Sequence, residues 1–164
     1  MEGKYIHALA LSDSHGNRSA LEEILRRNAD AEYIFHLGDN IDDARYIECR
    51  TRARVICVKG NCDMGESGNE AEEIVLMGQK IFLTHGHHYG VKYSYDRVFY
   101  AGQEREAKAV LFGHTHQQFC EFKDGLWLVN PGSAGASYDG VTGYATLLIG
   151  KMGVVPKLRR LEEW

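Results

Sequence analysis

Five short apolar runs along this chain each give way to a cluster of glycine with aspartate, asparagine or histidine. The clusters are Asp13-Ser14-His15, Gly38-Asp39-Asn40, Gly60-Asn61-Cys62-Asp63, His85-Gly86-His87 and Gly113-His114-Thr115-His116. Short apolar runs bounded in this way read as buried strands, so each cluster falls just past a strand. In an open α/β sheet the loops beyond the carboxyl ends of strands converge on one crevice from positions far apart in sequence. The five clusters therefore constrain the fold to one that brings them to a common end.

The intervening segments support such a fold. Tyr5 to Ser12 reads as a strand and Ser19 to Asn28 as a helix, with Leu21, Ile24 and Leu25 on one face and a Ser19/Glu22 capping box at its start. Tyr33 to Leu37, Ile41 to Arg50 and Arg54 to Val58 continue as strand, helix and strand, which implies crossovers and a parallel sheet. After Gly60 the pattern changes to hairpins. Glu73 to Leu76 and Lys80 to Leu83 flank Met77-Gly78-Gln79, while Phe119 to Lys123 and Leu126 to Val129 flank Asp124-Gly125. Asp96 to Glu106 predicts a helix weakened by Gly102, and Tyr144 to Ile149 and Val154 to Leu161 finish as strands. The expectation is an α/β sandwich of two sheets flanked by helices, in one domain over residues 1–164.

Composition narrows the function. A chain of 164 residues with 44% hydrophobic content can bury one sizeable core. Its 19 basic and 23 acidic residues give a net charge of -4, without the positive field that duplex nucleic acid requires. The amino terminus, with Glu2 and His7, does not read as a signal peptide. No apolar run approaches the roughly 18 residues that span a bilayer, so a cytoplasmic protein with no membrane contact is expected. Cys49, Cys57 and Cys120 read as buried, reduced thiols, and four cysteines at irregular spacing make no disulfide framework. The chain has neither a Gly-x-Ser-x-Gly elbow nor a phosphate-binding Gly-x-x-x-x-Gly-Lys loop, which removes serine hydrolase and nucleoside triphosphatase chemistry.

What remains is metal chemistry. Asp13, His15, Asp39, Asn61, His85, His114 and His116 supply carboxylate, amide oxygen and imidazole, a mixed set suited to borderline divalent ions. Two ions roughly 3.5–4 Å apart need a shared ligand, for which a carboxylate with two oxygens is suited, and Asp39 is the choice. The spacing of two in Asp-x-His and His-x-His predicts extended backbone that presents alternate side chains. Two dications against two carboxylates and one bridging hydroxide leave about one positive charge, which a phosphodiester monoanion would neutralise. The hydroxide held beside Asp39 would attack phosphorus in line.

Asp-x-His, Gly-Asp, Gly-Asn-x-Asp, His-Gly-His and Gly-His-Thr-His, in this order from Asp13 to Ser133, resemble the calcineurin-like metallophosphoesterases. Gly60-Asn61-Cys62-Asp63, Asn130-Pro131-Gly132-Ser133 and the short length look most like the small bacterial and archaeal phosphodiesterases of the YfcE type. The resemblance implies a four-layer α-β-β-α sandwich of two mixed β-sheets. It also implies that Asp13, His15, Asp39 and His116 hold one ion and that Asp39, Asn61, His85 and His114 hold the other. Manganese is the favoured ion, with iron, zinc, nickel or cobalt as alternatives. The implied activity is hydrolysis of small or generic phosphodiesters. Phosphomonoesterase activity, or a metal-binding interaction scaffold of the same fold, is the alternative, and a homo-oligomer is compatible with either.

Many relatives carry a histidine after the motif asparagine to assist the leaving group, where this chain has Cys62. A thiol with a reference pKa of about 8.5 is a poor substitute donor. Asp42 completes a Gly-Asp-x-x-Asp pattern whose aspartate orients that histidine in relatives, and here it reads as a helix-start carboxylate. Cys62, Asp63 and His87 are expected beside the centre or against substrate. His7 and His36, inside strands, are expected to be structural, and Tyr89, Tyr93, Tyr95 and Tyr100 to be packing residues.

Overall fold

The computed structural model describes residues 3–135 and 140–161. Along them run β1 (Tyr5–Leu11), α1 (Arg18–Arg27), β2 (Tyr33–His36), α2 (Ile41–Glu48) and β3 (Arg54–Cys57). There follow β4 (Ala71–Leu76), β5 (Gln79–Thr84), a 3₁₀ turn at His87–Tyr89, α3 (Asp96–Glu104) and β6 (Ala109–Leu111). The last strands are β7 (Gln118–Lys123), β8 (Leu126–Pro131), β9 (Gly143–Gly150) and β10 (Gly153–Arg160). One sheet has the order β10-β9-β1-β2-β3 and the other β4-β5-β6-β8-β7. Both are mixed. β1, β2 and β3 are parallel, with β9 antiparallel to β1. In the second sheet β5, β6 and β8 are parallel, with β4 and β7 as antiparallel edges.

The two-residue period of each strand assigns its side chains to layers. Ala8 and Ala10 of β1 join Ile81 and Leu83 of β5 and Ala109 and Leu111 of β6 in the core between the sheets. The alternate residues Leu9 and Leu11 pack outward against Leu21 and Ile24 of α1 and Ile47 of α2. On the far side Phe82 and Val110 pack against Val98 and Phe99 of α3. Helix, sheet, sheet and helix thus form the four layers. No described helix is long and apolar enough to cross a membrane.

Several sequence expectations are corrected here. Ser19/Glu22 is not a capping box. Helix α1 begins at Arg18, and the Asn17 side chain caps it by accepting a hydrogen bond from Ala20 N at 3.3 Å. Ser19 instead donates to Asn17 Oδ1, and Glu22 pairs with Tyr46 and Arg50. Gly102 is not a weak point of α3: a Cβ there would lie 2.4 Å from Val110 Cγ2, so glycine lets the helix approach the sheet. Cys49 is exposed and Cys57 and Cys120 are half-buried, and all the cysteines are free thiols. Tyr89 packs on Phe82 and Tyr95 on Phe112 and Phe119, whereas Tyr93 and Tyr100 are exposed. His7 is half-buried beside Asp30, and His36 is fully buried.

Candidate metal centre

All five clusters emerge just beyond the carboxyl ends of strands: Asp13 and His15 after β1, Asp39 after β2, Asn61 after β3, His85 after β5, and His114 and His116 after β6. The first three loops belong to one sheet and the last two to the other. The sheets are tied at this end by His85, whose Nδ1 lies 2.7 Å from Leu37 O. A carbonyl only accepts, so Nδ1 carries a proton and it is Nε2 that is turned to the centre, where a bare lone pair could bind an ion. That Nε2 lies 3.1 Å from Asn61 Oδ1, 3.2 Å from His114 Nδ1, 3.4 Å from Asp39 Oδ2 and 3.7 Å from Asp13 Oδ1.

Two groups of ligand atoms form around it. Asp13, His15, Asp39 and His116 each offer an atom within 4.8 Å of the others, as do Asp39, His85 and His114, so Asp39 belongs to both groups. Asn61 joins the second through its contact with His85. One oxygen of Asp13 is fixed by Ser12 Oγ at 2.5 Å and His114 N at 3.0 Å. The other, Oδ1, is buried and accepts no hydrogen bond, although His116 Nε2 stands 3.1 Å away. This orphaned oxygen and the lone pairs around it fit a bound cation.

The extended backbone expected for the two-residue spacings is not what forms. Asp13, His15, Asp39, His114 and His116 have φ of 52°, 46°, 59°, 74° and 61°, in the left-handed region. The spacing of two is reached through tight turns, and each such residue costs roughly 1–3 kcal/mol of strain. Sequence spacing does not register this.

The strain is held by buried hydrogen bonds. Asp63 is 3% exposed, and its carboxylate accepts from Asp39 N, Asn40 N, Ile41 N and Gly60 N at 2.8–2.9 Å. It therefore clamps the β2 and β3 loops together. Gly60 lies so close that a Cβ there would be 2.1 Å from Asp39 Oδ1, whose own position is fixed by Cys62 N at 2.9 Å. His36 links Ser14 Oγ, 2.8 Å from its Nε2, to Gly38 N, 3.3 Å from its Nδ1. Asp43, 1% exposed, accepts from Gly16 N at 2.8 Å.

The electrostatics of the ion-free centre follow from this crowding. Burial works to raise the carboxyls of Asp13 and Asp39, but the imidazoles beside them, His116 and His85 for Asp13 and His85 for Asp39, hold both below the usual range. Burial works to depress His85, and the two carboxylates outweigh it and raise that residue. Burial, with His85 and Lys92 nearby, pushes His114 down to about 4. Two grooves open onto the centre. One, of about 490 Å³, runs past His114 and His116 to Lys92 and Tyr95. The other, of about 390 Å³, runs past His15 and Cys62 to Met64 and Glu66.

Residues 6–152 match the family model of the calcineurin-like phosphoesterase superfamily domain. The chain belongs to that superfamily. A probable metallophosphoesterase of Bacillus subtilis, YsnB, is 35% identical to this phosphoesterase over 131 residues, covering 78% of this chain and 75% of its own length. The phosphodiesterase YfcE of Escherichia coli is 27% identical over 146 residues, covering 74% and 76%. A solved structure of a predicted phosphoesterase from Streptococcus pneumoniae superposes with a TM-score of 0.77 at 25% identity, over 97% of this chain and 99% of that one.

All seven residues expected as ligands in this phosphoesterase lie in one cluster. Of the three expected beside it or against substrate, Asp63 is a buried clamp on the ligand loops, and Cys62 is exposed in the Glu66 groove. His87 borders the centre, its ring 5.3 Å from that of His85 and 6.0 Å from that of His114. Asp43 was missed because helix-start acids look alike in sequence. Its neighbour Asp42 is exposed and pairs with Arg45 at 2.6 Å.

Proposed function

We propose that this phosphoesterase hydrolyses small phosphodiesters at a centre of two divalent ions held by Asp13, His15, Asp39, Asn61, His85, His114 and His116, with Asp39 shared. The observation that carries the reading is Asp13 Oδ1, a buried anionic oxygen without a hydrogen bond among the acceptors of two ligand groups that meet at Asp39. The cluster buries two carboxylates whose inward oxygens face imidazole nitrogens, so it calls for positive charge at its middle. Bound there, the ions supply an activated water nucleophile and neutralise charge on the phosphoryl oxygens. The mixed oxygen and nitrogen ligands suit borderline divalent ions, and we take manganese from the family resemblance, with iron, zinc, nickel or cobalt as alternatives. The free thiols suit a reducing cytoplasm.

The chain itself contributes orientation. Ser12 and His114 N hold one oxygen of Asp13 so that the other faces inward. Cys62 N does the same for Asp39, leaving Oδ2 toward His85. Leu37 O fixes the tautomer that turns His85 Nε2 to the cluster. Two grooves leading from one centre suit the two arms of a diester better than the single arm of a monoester.

Departure of the alcohol has little help. Burial and the nearby Asp39 push the Cys62 thiol up, so it keeps its proton and gives it up reluctantly. Diesters with good leaving groups are the expected substrates. The test is protein stripped of metal, reloaded with manganese, and assayed on bis-aryl and mono-aryl phosphates. Metal-dependent turnover that favours the diester is expected. Preference for the monoester would move the assignment to a phosphomonoesterase, and metal binding without turnover would make the protein a scaffold.

A further inference from the structure

Beside the seven-residue centre stands a second cluster of ligand type that the reading above does not use. Glu70, just before β4, and His87 and His88, in the 3₁₀ turn after β5, each offer a ligand atom within 4.8 Å of the others. His88 Nε2 lies 2.9 Å from Glu70 Oε2, and the rings of His87 and His88 are 4.0 Å apart. An independent observation points to a missing partner: His87 Nδ1 is buried and makes no hydrogen bond. A buried ring nitrogen without a partner is destabilising.

We propose that Glu70, His87 and His88 form a separate rim site for one zinc-class cation, the three side chains supplying its ligands and water completing the shell. Two imidazoles and one carboxylate are a three-ligand set of the kind that binds zinc with a position left open. Metal–ligand bonds of about 2.0–2.2 Å place tetrahedral ligand atoms about 3.4 Å apart. The observed separations, 2.9 Å between His88 and Glu70 and no more than 4.8 Å for any pair, bracket that spacing, and Glu70 and His88, with side chains 61% and 55% exposed, are free to turn. This makes His87 a ligand in its own right, where the sequence predicts either a neighbour of the main centre or a substrate contact. The set has one carboxylate and two exposed side chains to order, so the rim site fills after the main centre.

The site is tested by counting ions. Metal-free protein is titrated with Zn²⁺ against a chromophoric chelator. Three ions per chain are expected for the wild type and two for Glu70→Gln or His88→Gln, both exposed positions that leave the fold intact. The Asp39→Asn protein, impaired at the main centre, should still take up Co²⁺ with the visible absorption of a tetrahedral site, and adding His88→Gln should remove it. A wild type at two ions that are both retained by His88→Gln and Glu70→Gln, or a wild type at three whose two variants each retain three, would overturn the proposal. A wild type at two ions that falls to one with His88→Gln would uphold the rim site while removing the two-ion reading of the main centre.

Discussion

The carboxylate of Asp63 is the element of this site whose replacement has the most clearly derived consequence. Its Oδ2 accepts from Asp39 N and Gly60 N, and its Oδ1 from Asn40 N and Ile41 N. Asp63→Asn preserves the shape but exchanges one oxygen for an amide that can only donate. Two of the four backbone N–H groups then face a donor in a buried place. Each buried donor left unsatisfied costs about 1–3 kcal/mol, and since the two share one group we expect a combined loss near 3 kcal/mol. With a urea m-value of about 2 kcal/mol/M for a domain of this size, the midpoint should fall by about 1.5 M. The measurement is made on metal-free protein, so that weaker ion binding does not enter. Asp42→Asn serves as the control, because its pairing with Arg45 is exposed to solvent and contributes little. Because Asp39 sits in a left-handed turn that Asp63 holds, the same variant should also bind manganese more weakly. An Asp63→Asn protein whose midpoint matches the Asp42→Asn control would show that the clamp has been misread.

Three other outcomes follow from the site. Rates on phosphodiesters of graded leaving-group pKa should fall steeply as that pKa rises, since Cys62 gives no ready proton; a flat dependence would show that an efficient general acid is present. In ion-free protein the raised pKa of His85 contributes stability that is full below its ordinary value of 6.5 and is lost as pH rises through the higher folded value. Ion binding needs the same nitrogen bare, so from about pH 6 to 8 the metal-free Tm should fall while the increment from manganese grows; a metal-free Tm that rises across this window would contradict the sign. Gly102→Ala should destabilise by about 1–2 kcal/mol, because a Cβ 2.4 Å from Val110 and 2.9 Å from Leu126 overpacks by more than the gain in helix propensity, and denaturation would detect a stabilised variant if the close approach is not tight.

The sequence made the layers and the ligand cluster legible for the same reason: strands carry a two-residue period, and loops at their carboxyl ends point one way. The types and order of Asp13, Asp39, His85 and His114 were enough to place them together. What stayed hidden were choices between chemically equal neighbours. Asn17 and Ser19 can both cap α1, and only the path of the preceding turn selects Asn17. Asp42 and Asp43 are adjacent acids at the start of α2, and one step of helical rotation sends Asp42 to solvent and Asp43 to Gly16 N. The two-residue spacing of Asp13 and His15 fits an extended strand or a left-handed turn equally, and the hydrogen bonds from other loops that decide the matter have no local signature.

Those same hydrogen bonds argue that the centre is built before any ion arrives. Asp13 N donates to Gly38 O at 3.0 Å, Gly113 N to His85 O at 3.0 Å, and Ala134 N to Ser12 O at 2.9 Å, so four of the five ligand loops are tied to another by backbone, and the Asp63 side chain ties the Asn61 loop to that of Asp39. His85 bridges the sheets through Leu37 O, Asp63 holds Asp39, and His114 N is held by Asp13, so the loops that carry the left-handed residues are braced by the chain itself. The metal-free chain should therefore remain folded under chelation, unlike small domains whose metal is their core. Manganese should then stabilise only by mass action, about 4 kcal/mol at a thousandfold excess over its Kd. A chain that unfolds on chelation at 25 °C would instead mean that the buried negative charge of Asp13 and Asp39 outweighs the framework around it.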